Sequence, residues 1–294
     1  FRAMGNSEVC MRVSLLMNAI SVSGNAILIY GFHCGTEGVA IPTLVSRFVA
    51  AFIIIKLLLK DKWSLHLERT FRFNPDWSMI RKILSVGIPN GLENSMFQLG
   101  KVLVLSLVST FGTYAIAANA VSNVITLFSI LPGQAICLAV TTVIARCVGA
   151  GDYEQAKYYN KKLILLTHIG MAITIFIVFI TLPFILKVYN LSEAASEATR
   201  HIIWFHGFCA ILIWAESFTL PATFRACGDA KACMIISTVS MWIFRVGASY
   251  ILGKNLGLGV FGVWVAMIID WAFRSLLFGI RYFSGKWKKH ALVS

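Results

Sequence analysis

The sequence predicts an all-α integral membrane protein with eight transmembrane helices, and three observations lead there. Hydrophobic residues make up 58% of the 294-residue chain and charged residues only 13%. A soluble domain carries about 25% charged residues, so this chain has too little polar surface to cover a water-facing globule. The apolar residues fall into long runs, and roughly 20 residues of helix cross about 30 Å of hydrocarbon. The plan is also duplicated: Phe1-Arg-Ala-Met-Gly-Asn-Ser-Glu-Val-Cys-Met11 returns as Phe224-Arg-Ala-Cys-Gly-Asp-Ala-Lys-Ala-Cys-Met234.

The runs are, in order, about 9–32, 38–59, 84–111, 117–147, 162–188, 200–223, 231–253 and 260–283. Strand alternation is absent, and the runs are too long for barrel strands. The first two flank a turn marked by Gly35 and Gly38. Pro42, Pro132 and Pro221 lie inside runs, where neighbouring helices re-satisfy the freed backbone. The longest polar break in the second half is Gly149-Ala-Gly-Asp-Tyr-Glu-Gln-Ala-Lys157. Its glycines end one helix and Asp152 caps the next. The seventh run follows Gly228, which permits a turn, and Asp229, expected to cap the helix.

The echo continues beyond the opening. Ser14 maps to Ser237 and Gly24 to Gly247; after one inserted residue Gly35, Gly38 and Lys62-Trp63 map to Gly259, Gly262 and Lys286-Trp287. A repeat this long is a duplicated half-protein, the plan of many secondary transporters. Residues 1–60 then hold the last two helices of an N-terminal lobe. Residues 61–83 form a basic, Trp-containing cytoplasmic connector, and residues 84–294 form a complete six-helix C-terminal lobe. By this arithmetic four helices of a twelve-helix, two-lobe protein are missing ahead of Phe1. Six helices separate equivalent points, so the two copies enter the membrane alike, as a parallel repeat.

The net charge of +13 is distributed by topology, not gathered for a polynucleotide. Eighteen Lys and Arg belong to one set of alternating loops: Arg2 and Arg12, six from Lys60 to Lys82, Arg146, Lys157, Lys161, Lys162, Arg225, Lys231, Arg281, Lys286, Lys288 and Lys289. The other set holds Lys187, Arg200 and Lys254. By the positive-inside rule the first set and the C-terminus are cytoplasmic, in the plasma membrane, and anionic lipid rather than nucleic acid is the basic partner. Seven cysteines without a C-x-x-C point to no disulfide, no metal and no cofactor.

Three acidic residues lie inside helical runs: Glu93, Glu216 and Asp270. An ionisable group in hydrocarbon costs at least ~2.5–3.5 kcal/mol, so each needs a partner or a purpose. Glu93 and Glu216 lie at matching depth, about eight residues from cytoplasmic helix ends, and are expected to share one ion or proton, with Asn94 and Gln98 nearby. Asp270 lies near mid-membrane at the depth of Lys101 and Arg245, and a buried triad follows because a lone buried cation is as costly as a lone carboxylate. Blander roles compete. Glu93 can serve the helix dipole, Glu216 can pair with Arg225, and Asp270 can pair with Arg274 one turn away. Trp204, Trp214, Trp242, Trp264 and Trp271 are deep enough to line a cavity.

Five motifs resemble the multidrug and toxic compound extrusion (MATE) transporters: Arg225-Ala-Cys-Gly-Asp229 with its twin Arg2-Ala-Met-Gly-Asn6; Gly87-Ile-Pro-Asn-Gly-Leu-Glu93; Val148-Gly-Ala-Gly-Asp-x-x-x-Ala156; Asn25-x-x-Leu-Ile-Tyr-Gly31; and Gly259-x-x-Gly-Val-Trp264. Each is weak alone; in this order and spacing they cover the family's fifth to twelfth helices. The resemblance implies an alternating-access antiporter that exports organic, often cationic, compounds against Na⁺ or H⁺. In some members acidic residues on the Glu93 helix bind the ion. The repeat motif of Arg2, Gly5, Arg225, Gly228 and Asp229 is read as structural. The transporter is expected to be a monomer with small organic substrates. A membrane enzyme is disfavoured, since H-E-x-x-H and G-x-S-x-G are absent. A lipid-linked oligosaccharide flippase of similar plan would need a strongly basic cavity, and a channel would need a selectivity filter.

Overall fold

The computed structural model describes residues 1–2, 4–60, 63, 67 and 75–290, the last two of these for backbone only. The described residues form eight long helices and no strands: α1 Ser7–Ala26, α2 Glu37–Leu58, α3 Trp77–Ser109, α4 Thr113–Gly149, α5 Tyr153–Tyr189, α6 Glu193–Ala226, α7 Ala230–Ser240 and α8 Gly259–Phe283. Helices α1 and α7 do not stop at their last α turn. They widen into i→i+5 turns, α1 over Ile27–Gly31 and α7 over Met241–Gly247 and Tyr250–Asn255.

Seven helices, counted with these extensions, are long and apolar enough to cross a membrane. The remaining one, α3, is 33 residues long but carries Arg81, Lys82, Glu93 and Lys101. Three helices begin earlier than hydropathy predicts. Residues 77–83, expected within the connector, are the first turns of α3, because the Asp76 carboxylate accepts from the backbone N–H of Ser78 and Met79 at 2.9 and 3.1 Å. Asp152 caps α5 through the Gln155 N–H at 2.8 Å, and Ser192 caps α6 through Ala195. Polar first turns read as loop on a hydropathy scale, and the caps show them to be helix. At 37 residues, α5 is about 55 Å long.

The chain divides into two compact units, Phe1–Pro75 and Asp76–Ser294. In the first, α1 packs on α2, with Gly24 directly against the Pro42 ring. In the second, α4 packs against α5 and α6, α6 against α8, and α3 against α7. Three buried clusters fill it. One is built around Trp214, Trp264, Trp271, Met171 and Ile202. A second is built around Val140, Ile144, Phe224, Phe278 and Trp287. A third joins Val121, Ile125, Val178, Leu182 and Ile203. Large apolar side chains also face outward in both units, among them Phe48, Phe52, Phe128, Phe176 and Leu212, as a lipid-facing surface requires.

The duplication is legible in backbone geometry. Gly5 and Gly228 both adopt positive φ, 82° and 85°, a conformation that excludes most side chains. The amide of Asn6 bonds the Phe1 carbonyl at 2.9 Å, as Asp229 bonds Phe224 at 2.9 Å. At the far ends, Phe32 bonds Ile27 and Cys34 bonds Leu28, matched by Leu256 on Ile251 and Leu258 on Leu252. The wide turns thus recur at equivalent places. Gly38 and Gly262, also equivalent, each lie close against the widened stretch before them.

Candidate functional site

An aromatic chamber of about 520 Å³ opens in the six-helix unit. Its walls come from α3 (Phe97, Lys101), α6 (Trp214, Phe218), the widened part of α7 (Arg245) and α8 (Trp264, Trp271), with Asn123 and Gln134 from α4. A smaller recess of about 230 Å³ shares Lys101, Asn123, Arg245 and Trp264. Local packing explains the wall. Gly133 has no side chain where the Trp214 ring crosses α4, so the indole packs directly against that helix and stacks on Phe218 at 4.9 Å. Phe218 in turn meets Trp271 edge-on at 5.5 Å. The Trp264 indole N–H donates to Asn119 Oδ1 at 3.1 Å, and buried His206 stands edge-on to Trp264 and Trp271 at 5.5 and 5.3 Å. Of the five tryptophans expected at a cavity, these three line it. Trp204 and Trp242 do not: both are well exposed, and Trp204 stacks on Phe179.

Asp270 lies behind this wall and is wholly buried. Its Oδ1 accepts from Ser240 Oγ at 2.5 Å. Its Oδ2 lies 4.0 Å from Arg245 Nη1 and 3.9 Å from Arg274 Nη1, beyond hydrogen-bond range. The expected triad is therefore half right: Arg245 comes to Asp270, and Arg274, held in reserve as a one-turn partner, comes as well. Lys101 does not pair with Asp270. Its Nζ lies over the Phe97 ring, 5.1 Å from the centroid. Arg245 and Arg274 lie against the same ring at 5.3 and 5.7 Å. One phenyl ring thus meets three cations, and its quadrupole attracts positive charge over a face.

Glu93 and Glu216 are not brought to one another. Arg225 Nη2 donates to both oxygens of Glu93 at 2.7 and 2.8 Å, so the cation suggested for Glu216 serves Glu93. With α3 starting at Trp77, Glu93 lies sixteen residues inside the helix (93 − 77), out of reach of the N-terminal dipole. Asn94 is exposed and bonds its own helix at the Asn90 carbonyl; Gln98 is exposed, and neither joins the Glu93 pair. Glu216 Oε1 meets His168 Nε2 at 3.0 Å, and His168 Nδ1 meets the Ile211 carbonyl at 2.7 Å. A carbonyl only accepts, so Nδ1 carries a proton. Glu216 and Nε2 then share one further proton between them. His168 is a partner that sequence reading passed over. Its signal was a lone histidine deep in an apolar run, at a depth comparable with Glu216.

The repeat motif is tied down locally. Asp229 makes no capping bond to α7; its carboxylate receives Arg281 Nε and Nη2 at 2.6 and 2.9 Å, which fastens the turn to the end of α8. Between them, Cys227 is buried, and burial with Asp229 nearby pushes its thiol up to about 12, so it stays protonated and inert. In the first copy Gly5 makes the same turn and Arg2 contributes its carbonyl to the Gly5 amide at 2.9 Å.

A sequence model of the MatE family matches residues 89–251. The chain is 26% identical over 298 residues to a probable multidrug resistance protein, NorM, of Thermotoga maritima, covering 100% of this chain and 63% of that protein. It is 24% identical over 298 residues to the probable multidrug resistance protein YoeA of Bacillus subtilis, with 99% and 64% covered. Among solved structures, an outward-facing multidrug resistance MATE family transporter of the MOP superfamily superposes with a TM-score of 0.85 at 20% identity, over 95% of this chain and 63% of that one. A MATE crystal structure in the straight conformation gives 0.86, over 97% and 64%. The chain thus spans a little under two thirds of the length of these relatives.

Proposed function

Because this chain belongs to the MatE family, we propose that it supplies most of a multi-pass membrane transporter that exports small organic compounds by alternating access. The export is an antiport driven by inward H⁺ or Na⁺, the protein acts as a monomer, and its C-terminus is cytoplasmic. It is a carrier and performs no catalysis. Support comes from the relatives' multidrug-resistance names and from the aromatic chamber. The observation that carries the coupled reading is the His168–Glu216 pair. Both residues lie inside membrane-crossing helices and are about one third exposed, so a proton held there is in reach of water. Imidazole is also the group that changes charge near neutral pH. Charge at this point acts on transport only through different affinity in inward- and outward-facing states.

In vesicles holding the full-length transporter, Glu216→Gln is expected to abolish pH-gradient-driven efflux of whichever of ethidium and 2-naphthoate the parent protein exports, while insertion stays normal. Gradient-driven efflux equal to the parent protein's would reject the pair as the coupling site. A Na⁺ gradient imposed on the same vesicles separates the two ions: efflux driven by Na⁺ alone assigns coupling to carboxylate oxygens such as those of Glu93 and Asp270.

A further inference from the structure

The charge on the chamber wall has one sign. Among the described residues its only charged lining residues are Lys101 and Arg245, with no Asp or Glu. Asp270, next to the lining residue Trp271, is wholly buried, and its Oδ1 accepts from Ser240 Oγ. The Arg245 guanidinium donates no hydrogen bond among the described residues, its nearest carboxylate oxygen being 4.0 Å away. The Trp271 indole N–H, on the wall, is likewise buried without an acceptor; outside the lining, Arg274 Nε and Nη1 and the acceptor Asp270 Oδ2 are also buried without a hydrogen-bond partner. Positive charge thus lines the space without a carboxylate, beside the neutral amides of Asn123 and Gln134. A cationic cargo would meet repulsion from two fixed charges in a low-dielectric wall, whereas an anion would meet complementary charge and unmet N–H groups. The remainder of the wall is indole and phenyl, which favours a flat ring system. A space of about 520 Å³ holds a small ligand.

We propose that this chamber takes planar aromatic acids: a carboxylate or sulfonate seated between Lys101 and Arg245, its ring system between Phe218, Trp264 and Trp271. The proposal rests on reading the chamber as the cargo site, and it reverses the preference for cations that family resemblance implies.

The test uses three probes of one shape: 2-naphthoate, neutral 2-naphthamide and cationic N-methylquinolinium. Binding to the chain in phosphatidylcholine nanodiscs is read from quenching of tryptophan fluorescence, with each Trp replaced in turn to locate the signal. Naphthoate is expected to bind at least tenfold more tightly than quinolinium. Lys101→Met should erase most of that ratio, and Lys101→Glu should reverse it. Lys101 is exposed to the chamber rather than packed, so these variants should fold; Arg245→Lys, which keeps the charge, should retain the preference. Equal affinity for the three probes, or a ratio unmoved by Lys101→Met, overturns the proposal. Displacement of naphthoate by phosphatidylglycerol in the nanodisc would assign the space to lipid and overturn it too. Gradient-driven efflux by the full-length transporter, measured for ethidium and for 2-naphthoate, keeps the two claims apart: efflux without naphthoate preference refutes the charge selectivity alone, and naphthoate binding without efflux of either compound refutes the transport reading alone.

Discussion

Glu93 and Arg225 lie 132 residues apart in the chain and meet because α3 and the end of α6 present them to each other. The Glu93 side chain is 9% exposed and that of Arg225 27%. Removing one partner leaves the other short of its counter-charge in a poorly solvated place, and that residual charge rather than the lost bond dominates the cost. Glu93→Gln should therefore lower the melting midpoint of the purified protein by several degrees, with Arg225→Gln doing the same. The double variant should recover at least half the loss, a coupling of roughly 1–3 kcal/mol. A double variant whose loss is the simple sum of the two singles would mean that the residues act independently. This partner choice was not legible beforehand. Sequence places acids by depth along a helix, and depth leaves open which way each helix is rotated. Hence Glu93 and Glu216 looked like partners, whereas rotation hands one to an arginine and the other to a histidine.

At the scale of elements, the chamber depends on how closely α4 and α6 approach. Gly133 is the contact: a Cβ built there would overlap the six-membered ring of Trp214. Overpacking of this kind costs about 1–3 kcal/mol. Gly133→Ala should accordingly lower thermal stability and weaken naphthoate binding together, and Trp214→Leu in the same chain should restore the stability but not the binding. If Gly133→Ala melts with the parent, the close approach is not a constraint. The existence and order of the eight helices could be read from run length alone, since hydrocarbon thickness sets that length physically. Helix starts could not be. The polar first turns of α3, α5 and α6 carry the composition of loops, and what makes them helical is a cap, Asp76, Asp152 or Ser192, whose hydrogen bonds satisfy the leading amides. Of these only Asp152 was recognised in advance. Asp229, expected to do the same for α7, instead holds Arg281, a choice fixed by where α8 ends.

For the molecule as a whole, the asymmetry of Lys and Arg makes a claim about sidedness. Glu154 is exposed at one end of α5 and Glu193 is exposed just past the other. With accessible native cysteines replaced, Glu154→Cys should react with an impermeant maleimide only from the cytoplasmic face, and Glu193→Cys only from outside. The opposite pattern would invert the topology, and labelling of both from one face would remove α5 as a span. Duplication at this scale is carried by details a sequence comparison only partly registers. The positive-φ glycine, the amide bond back over it and the widened turn 22 residues later all recur.

The length of α5 has a practical corollary. A bilayer with its headgroups is about 40–45 Å thick, whereas this helix measures about 55 Å from its 37 residues. Its partner α4 is equally long, and a tight turn, Ala150 to Asp152, joins the two. The pair must rise from the bilayer as a stiff double-stemmed mast at the basic end. A soluble domain spliced into that turn through continuous helices would inherit the mast's orientation, and so offers a rigid fiducial by which particles of a small membrane protein can be aligned in electron cryo-microscopy.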